Sequence, residues 1–291
     1  MLLEVLLTIF VIYLIYNYCF GGSKNGHSKS RLWTMYGNTS FEAIADKFTS
    51  VEDVTEAIRK CGLESSNLIF GIDYTLSNLT QGKLTFNQKS LHYLDETTQN
   101  PYQQVISIIG ETLSSFDEDN IIPAFGFGDL NTKDHSVFPL SPEGYCHGVD
   151  GVLAAYNSVT QRVRMSGPTS FVPLIRRAVD IVAQTRSYHI LVIIADGQVS
   201  NERSNIEAIV EASNYPLSII MVGVGDGPWD MMKTFDDQLP ARKFDNFQFV
   251  EFNRIVTNKS SFRNPSSAFA LQALMEIPDQ FVTMRRLGMI G

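Results

Sequence analysis

The chain has 291 residues, long enough for one large domain or two small ones. Its 23 basic and 31 acidic residues leave a net charge of −8, with 44% hydrophobic residues, which excludes a disordered chain and argues against a nucleic-acid partner. Three scattered cysteines, Cys19, Cys61 and Cys146, exclude a disulfide scaffold, and no Cys-x-x-Cys pair is present for a zinc finger or RING.

Residues 2–20 differ from that globular average, since only Glu4, Thr8 and Asn17 interrupt an apolar and aromatic run. A helix of that length measures about 28 Å, close to the hydrocarbon thickness of a bilayer. A cleaved signal peptide would want a basic start and small residues before the cut. Here Glu4 comes early and the exit is the bulky Tyr18-Cys19-Phe20. Residues 1–22 are therefore expected to be a membrane anchor. Residues 23–45 are expected to be a linker rich in glycine, serine, lysine and asparagine, with Trp33 and Tyr36 as candidate interfacial residues. Lys24, Lys29 and Arg31 follow the apolar run, and the positive-inside rule then places the rest of the chain in the cytosol, the plasma membrane being one candidate membrane.

Beyond residue 45, apolar runs alternate with amphipathic stretches. Strands are expected at Leu68–Ile72, Ile121–Phe127, Ile190–Ile194, Leu217–Val224 and Phe247–Phe252. Pro101 starts a helix with Val105, Ile108, Ile109 and Leu113 on one face. Phe171, Leu174, Ile175, Ala178, Ile181 and Val182 form a second stripe, and Ile206, Ile209 and Val210 mark a third. The alternation predicts an α/β fold, a doubly wound and mostly parallel sheet with helices on both faces, over residues 46–291.

Ligands gather at the carboxyl ends of strands in such sheets. Those positions hold hard oxygen donors: Asp73, Thr75 and Ser77 after the first strand, Thr169 before a helix, and Asp196 after the Ile190 strand. Two acids and several hydroxyls, without sulfur or imidazole, suit a hard divalent cation, with Mg²⁺ the natural choice and Mn²⁺ or Ca²⁺ as alternatives. Each acid alone would equally well cap the helix after it; the ordered set favours the metal. Asp73, at a strand end, is expected to face solvent.

The set Asp73-x-Thr75-x-Ser77, Thr169, Asp196 resembles the metal-ion-dependent adhesion site of a von Willebrand factor A domain. The Thr75 version, with Ala124-Phe125-Gly126-Phe127-Gly128-Asp129, Gly167-Pro168-Thr169-Ser170-Phe171, Ile194-Ala195-Asp196-Gly197-Gln198 and Val222 to Asp230, resembles the copine type of that domain. It is similar above all to the copine-type domain of plant RING-type ubiquitin ligases. The resemblance implies a protein-binding adaptor. Ser77, Thr75 and Thr169 would supply hydroxyl ligands, and Asp73 and Asp196 would act through water or by orienting the hydroxyls. An acidic side chain of the partner would complete the metal's coordination. The alternative is a member or truncated form of a ubiquitin ligase family, acting through substrate recruitment. The RING and the lipid-binding modules of those relatives find no counterpart in this sequence.

No catalytic constellation emerges. Thr75 stands where an aspartate-nucleophile phosphatase needs its second acid, and neither a Gly-x-Ser-x-Gly elbow nor a phosphate-binding glycine–lysine loop is present. Cys146 and His147 are neighbours whose side chains diverge, and His27, His92, His135 and His189 stand alone in the sequence.

Overall fold

The computed structural model describes residues 30–36, 41–45, 47–256 and 262–290. The expected anchor, residues 2–20, lies outside them, as do the side chains of Trp33 and Tyr36. Among the described residues no helix is long and apolar enough to cross a membrane.

The elements in chain order begin with α1 (Arg31–Tyr36), α2 (Phe41–Ala45), α3 (Val51–Lys60), β1 (Asn67–Asp73), α4 (Pro101–Leu113), β2 (Ile121–Ile122), β3 (Ala124–Phe127), β4 (Phe138–Pro139) and β5 (Cys146–His147). They continue with α5 (Gly148–Thr160), α6 (Val172–Thr185), β6 (His189–Ala195), α7 (Glu202–Ala212), β7 (Leu217–Gly223), α8 (Asp230–Asp237) and β8 (Phe247–Glu251). Three helices follow: α9 (Phe252–Val256), α10 (Pro265–Leu274) and α11 (Ile277–Arg286).

Six strands form one sheet in the order β4-β3-β1-β6-β7-β8, parallel throughout except for β4 against β3. β1, β6 and β7 are buried on both faces, which is why they read as continuous apolar runs. Alternate strand residues feed two separate cores. Phe70, Ile72, Val192, Ile194 and Val222 point into one layer with α3, α4, α5, α10 and α11. Ile69, Leu191, Ile193, Ile219 and Met221 point into the other with α6, α7 and α8. The α/β, doubly wound architecture expected from the sequence is the one observed. Gly71, central in β1, admits α6 closely, since a Cβ there would lie 2.1 Å from Leu174 Cδ2.

Helix starts follow local chemistry. Ser50 caps α3 in a reciprocal box with Asp53, and Asn100 caps α4 in one with Gln103. Asn264 caps α10, with Pro265 at its first position.

Two expectations are corrected. The run Ile121–Phe127 is not one strand: at Pro123 it divides into β2, which pairs antiparallel with β5, and β3, which joins the main sheet. Proline donates no ladder hydrogen bond, and its carbonyl instead accepts from Phe70 N at 3.0 Å. Within the expected linker, α1 and α2 are ordered and bring Leu32, Ile44 and Ala45 into the core. Arg31 there pairs with Asp279 at 3.2 Å.

Candidate metal centre

The strand order reverses at β1: the chain runs outward through β3 to β4, then returns to the other side of β1 with β6, β7 and β8. The crevice at such a switch point lies between the carboxyl ends of β1 and β6. Asp73 ends β1 and Asp196 follows β6, so the topology sets the two acids side by side.

Around them the backbone closes. Tyr74 N donates to Phe127 O at 2.8 Å, Leu76 N to Ser166 O at 2.7 Å, and Ser166 N to Gly128 O at 3.1 Å. These bonds fold the loops after β3 and before α6 over Asp73. Gly128 belongs to the same closure, with φ +79° and a position where a Cβ would sit 2.4 Å from Thr75 Cγ2. Asp73 is accordingly fully buried and Asp196 almost so. The expectation that Asp73 faces solvent is thus wrong: the strand end is covered by neighbouring loops.

Four of the five expected site residues are joined in one chain of contacts. Asp73 Oδ1 accepts from Thr75 N at 2.8 Å, the Thr75 and Ser77 hydroxyls are 3.1 Å apart, and Ser77 Oγ donates to Asp196 Oδ1 at 3.0 Å. Thr169 sits half-buried in the adjoining loop, anchored through its carbonyl to Ser200 N at 2.9 Å. Its hydroxyl makes no hydrogen bond to the other four among the described contacts. Neither acid serves as a helix cap, since α7 is capped by Asn201 and the turn after β1 begins at Thr75.

The electrostatics are unbalanced. Asp73 Oδ2 and Asp196 Oδ2 are both buried and accept no hydrogen bond. Burial holds both carboxyls above the usual carboxylate range. For Asp73, hydrogen bonds from Thr75, the Asp196 amide and Asn78 oppose that; for Asp196, the Asp73 charge adds to it. Two neighbouring buried carboxylates, each with a free oxygen and with hydroxyls between them, fit a hard divalent cation. Among the described residues no three Asp, Glu, His or Cys meet at metal-binding spacing, so any cation here depends on the hydroxyls.

Behind Asp73 lies a polar network that sequence reasoning missed. His92 Nε2 is 2.8 Å from Asp73 O and Nδ1 is 2.8 Å from Tyr156 OH. A carbonyl can only accept, so Nε2 carries the proton and Nδ1 accepts from Tyr156. Tyr156 in turn accepts from Asn100 Nδ2 at 3.0 Å. Tyr102 OH donates to Asn78 Oδ1 at 2.6 Å, and Asn78 Nδ2 reaches the carbonyls of Asp73 and Thr75. The His92 ring stacks between Tyr74 and Tyr102, and burial lowers its pKa to about 3, so it is neutral at pH 7. His92 is therefore a core residue, as a lone histidine usually is, and its work is to hold the Asp73 backbone.

The family model described as Copine matches residues 90–291. The chain belongs to the copine family. It is 56% identical over 247 residues to Copine family protein 2 of Caenorhabditis elegans, covering 84% of this chain and 3% of that protein. It is 52% identical over 265 residues to the E3 ubiquitin-protein ligase RGLG5 of Arabidopsis thaliana, covering 86% of this chain and 61% of the ligase. The copine chain thus spans less than two thirds of either relative. A solved structure of manganese-loaded TRAP from Plasmodium vivax is also similar, at 11% identity and a TM-score of 0.42, covering 67% of this chain and 71% of that one.

Proposed function

We propose that this copine-family domain binds protein partners through a divalent cation, with Mg²⁺ first among the candidates. The observation that carries the reading is the pair of buried, unpartnered oxygens on Asp73 and Asp196, linked through Ser77 and Thr75. The bound ion would supply a positive centre for a carboxylate of the partner. Thr75 and Ser77 offer hydroxyl ligands, Thr169 offers a third from the rim, and Asp73 orients Thr75 through its amide. Tethering to a membrane through residues 2–20, with the domain in the cytosol, belongs to the same proposal and rests on the apolar run and the basic residues after it.

Calorimetry of the whole chain with MgCl₂ tests the metal. Wild type is expected to take up one ion, whereas Asp73→Asn and Asp196→Asn take up none while keeping the wild-type circular dichroism. Asparagine keeps the side-chain volume of aspartate at this buried site, where a truncation would leave a hole. Equal Mg²⁺ binding by wild type and both variants would sink the assignment.

A second reading is recruitment of substrates for ubiquitination, favoured by the 52% identity to a ubiquitin ligase. A RING assembles on zinc sites of four Cys or His ligands each, and this sequence has three cysteines. With activating and conjugating enzymes alone, the chain is expected to form no ubiquitin chains; concentration-dependent self-ubiquitination would overturn that.

A further inference from the structure

Five leucines are exposed among the described residues, and four of them, Leu76, Leu79, Leu84 and Leu130, lie on the two segments that leave the carboxyl ends of β1 and β3. Leu76 stands between Thr75 and Ser77, and its amide is fixed to Ser166 O at 2.7 Å. Leu130 follows the Gly128 closure and is tied through its amide to Arg164 O at 2.9 Å. Leu84 is 87% exposed, although its backbone is held in place. Its amide donates to Asp226 Oδ2 at 3.0 Å, and the Thr85 amide and hydroxyl donate to Asp226 Oδ1 at 3.0 and 2.7 Å.

Single exposed leucines need no explanation, but these four stand along one end of the sheet on hydrogen-bonded backbone, from the β3 side at Leu130 to the β7 side at Leu84. The charge at that end complements them. Lys83 and Lys133 are exposed, and neither forms an ion pair among the described residues, in a chain of net charge −8. Two acids at that end are occupied internally: Asp129 accepts from Thr132 N at 2.9 Å, and Asp226 holds the Leu84 loop.

We propose that this apolar rim selects the partner: the segment bound at the metal centre carries its acidic residue between apolar side chains. The inference rests on the metal-dependent reading above and adds the identity of the flanking residues. A carboxylate amid polar residues would satisfy the ion but leave the leucines in water. One amid leucine, isoleucine or phenylalanine would cover the rim as it reaches the ion.

The test uses the whole chain and two short fluorescein-labelled peptides, each with a central glutamate, one flanked by leucines and the other by serines. Fluorescence polarisation is read with Mg²⁺ and with EDTA. The leucine-flanked peptide is expected to bind more than about tenfold tighter, as follows from burying one or two leucine side chains. In Leu84→Ser/Leu130→Ser that preference is expected to vanish while calorimetric Mg²⁺ binding stays at the wild-type value. Equal binding of both peptides by wild type, or a preference kept by the double variant, would overturn the rim. A leucine preference that EDTA leaves intact would instead overturn the metal-dependent reading and, with it, the acidic residue in this inference.

Discussion

Replacing His92 by phenylalanine tests whether the buried network holds the metal centre in place. The substitution keeps a flat ring between Tyr74 and Tyr102, at centroid distances of 4.7 and 4.0 Å, so stacking and volume are nearly conserved. Two polar contacts are lost. Asp73 O loses its 2.8 Å donor and keeps the longer 3.3 Å bond from Asn78, since the Tyr102 hydroxyl, also 3.3 Å away, gives its one proton to Asn78 Oδ1. That loss is worth about 1 kcal/mol. The Tyr156 hydroxyl loses its acceptor in a fully buried position, which costs about 1–3 kcal/mol. The expected destabilisation is about 2–4 kcal/mol in urea unfolding, with Tm lowered by roughly 4–16 °C. Adding Tyr156→Phe removes the stranded donor, although Asn100 then loses an acceptor, so the double variant should recover part of the loss. The cycle is expected to show coupling of at least about 1 kcal/mol. Mg²⁺ affinity should fall several-fold in His92→Phe, because Asp73 hangs from a looser carbonyl. Additivity within about 0.5 kcal/mol, or wild-type stability of His92→Phe, would refute the network's role.

Gly128→Ala forces a side chain into a positive-φ position 2.4 Å from Thr75 Cγ2; a loss of about 1–3 kcal/mol and a fall of more than about tenfold in Mg²⁺ affinity by calorimetry are expected. Burial, then nearby acids, raise the pKa of Glu276 from 4.5 to about 8, and burial raises that of Asp236 to about 7. Both groups bind protons more tightly folded than unfolded, so wild-type stability should fall as pH rises from about 4.5 through about 8, and Glu276→Gln should show a shallower fall in urea midpoints and greater stability near pH 9. For the membrane side, Asn38 and Asn258 are formal glycosylation acceptors outside the described residues, and a cytosolic domain leaves both bare; a glycosidase-sensitive mobility shift traced to either would place the domain outside. Asn78, in a third such triplet, is fully buried and bonded to two carbonyls and Tyr102, so the folded chain offers no acceptor there.

The parts legible in the sequence were those fixed by local pattern. β1, β6 and β7 showed because strands covered on both faces need apolar residues at every position, and the site acids showed because they stop those runs. Pro123 breaks the second apolar run, but the apolar residues on either side of it hide the break. Asp73's burial was not legible, because it depends on Gly128 and Ser166, which reach the site only through sheet pairing and loop closure. Nor was the network behind it: His92 and Tyr156 are 64 residues apart, and neither belongs to a motif that would link them. The exposed leucines carried no signal of exposure at all, since a leucine after a strand reads as core.

The Asp226 carboxylate ties segments 141 residues apart, binding three donors on Leu84 and Thr85 while its own amide donates to Gln81 O at 2.9 Å. The β1 loop and the turn after β7 therefore cannot breathe independently: when one lifts, every bond in that clasp breaks together. In hydrogen exchange the amides of Leu84, Thr85 and Asp226 should trade their protons at a common rate, as one opening unit, distinct from the sheet beneath. A contact felt by the leucine at the tip of the loop is thereby felt at the far side of the sheet's upper edge, through one side chain.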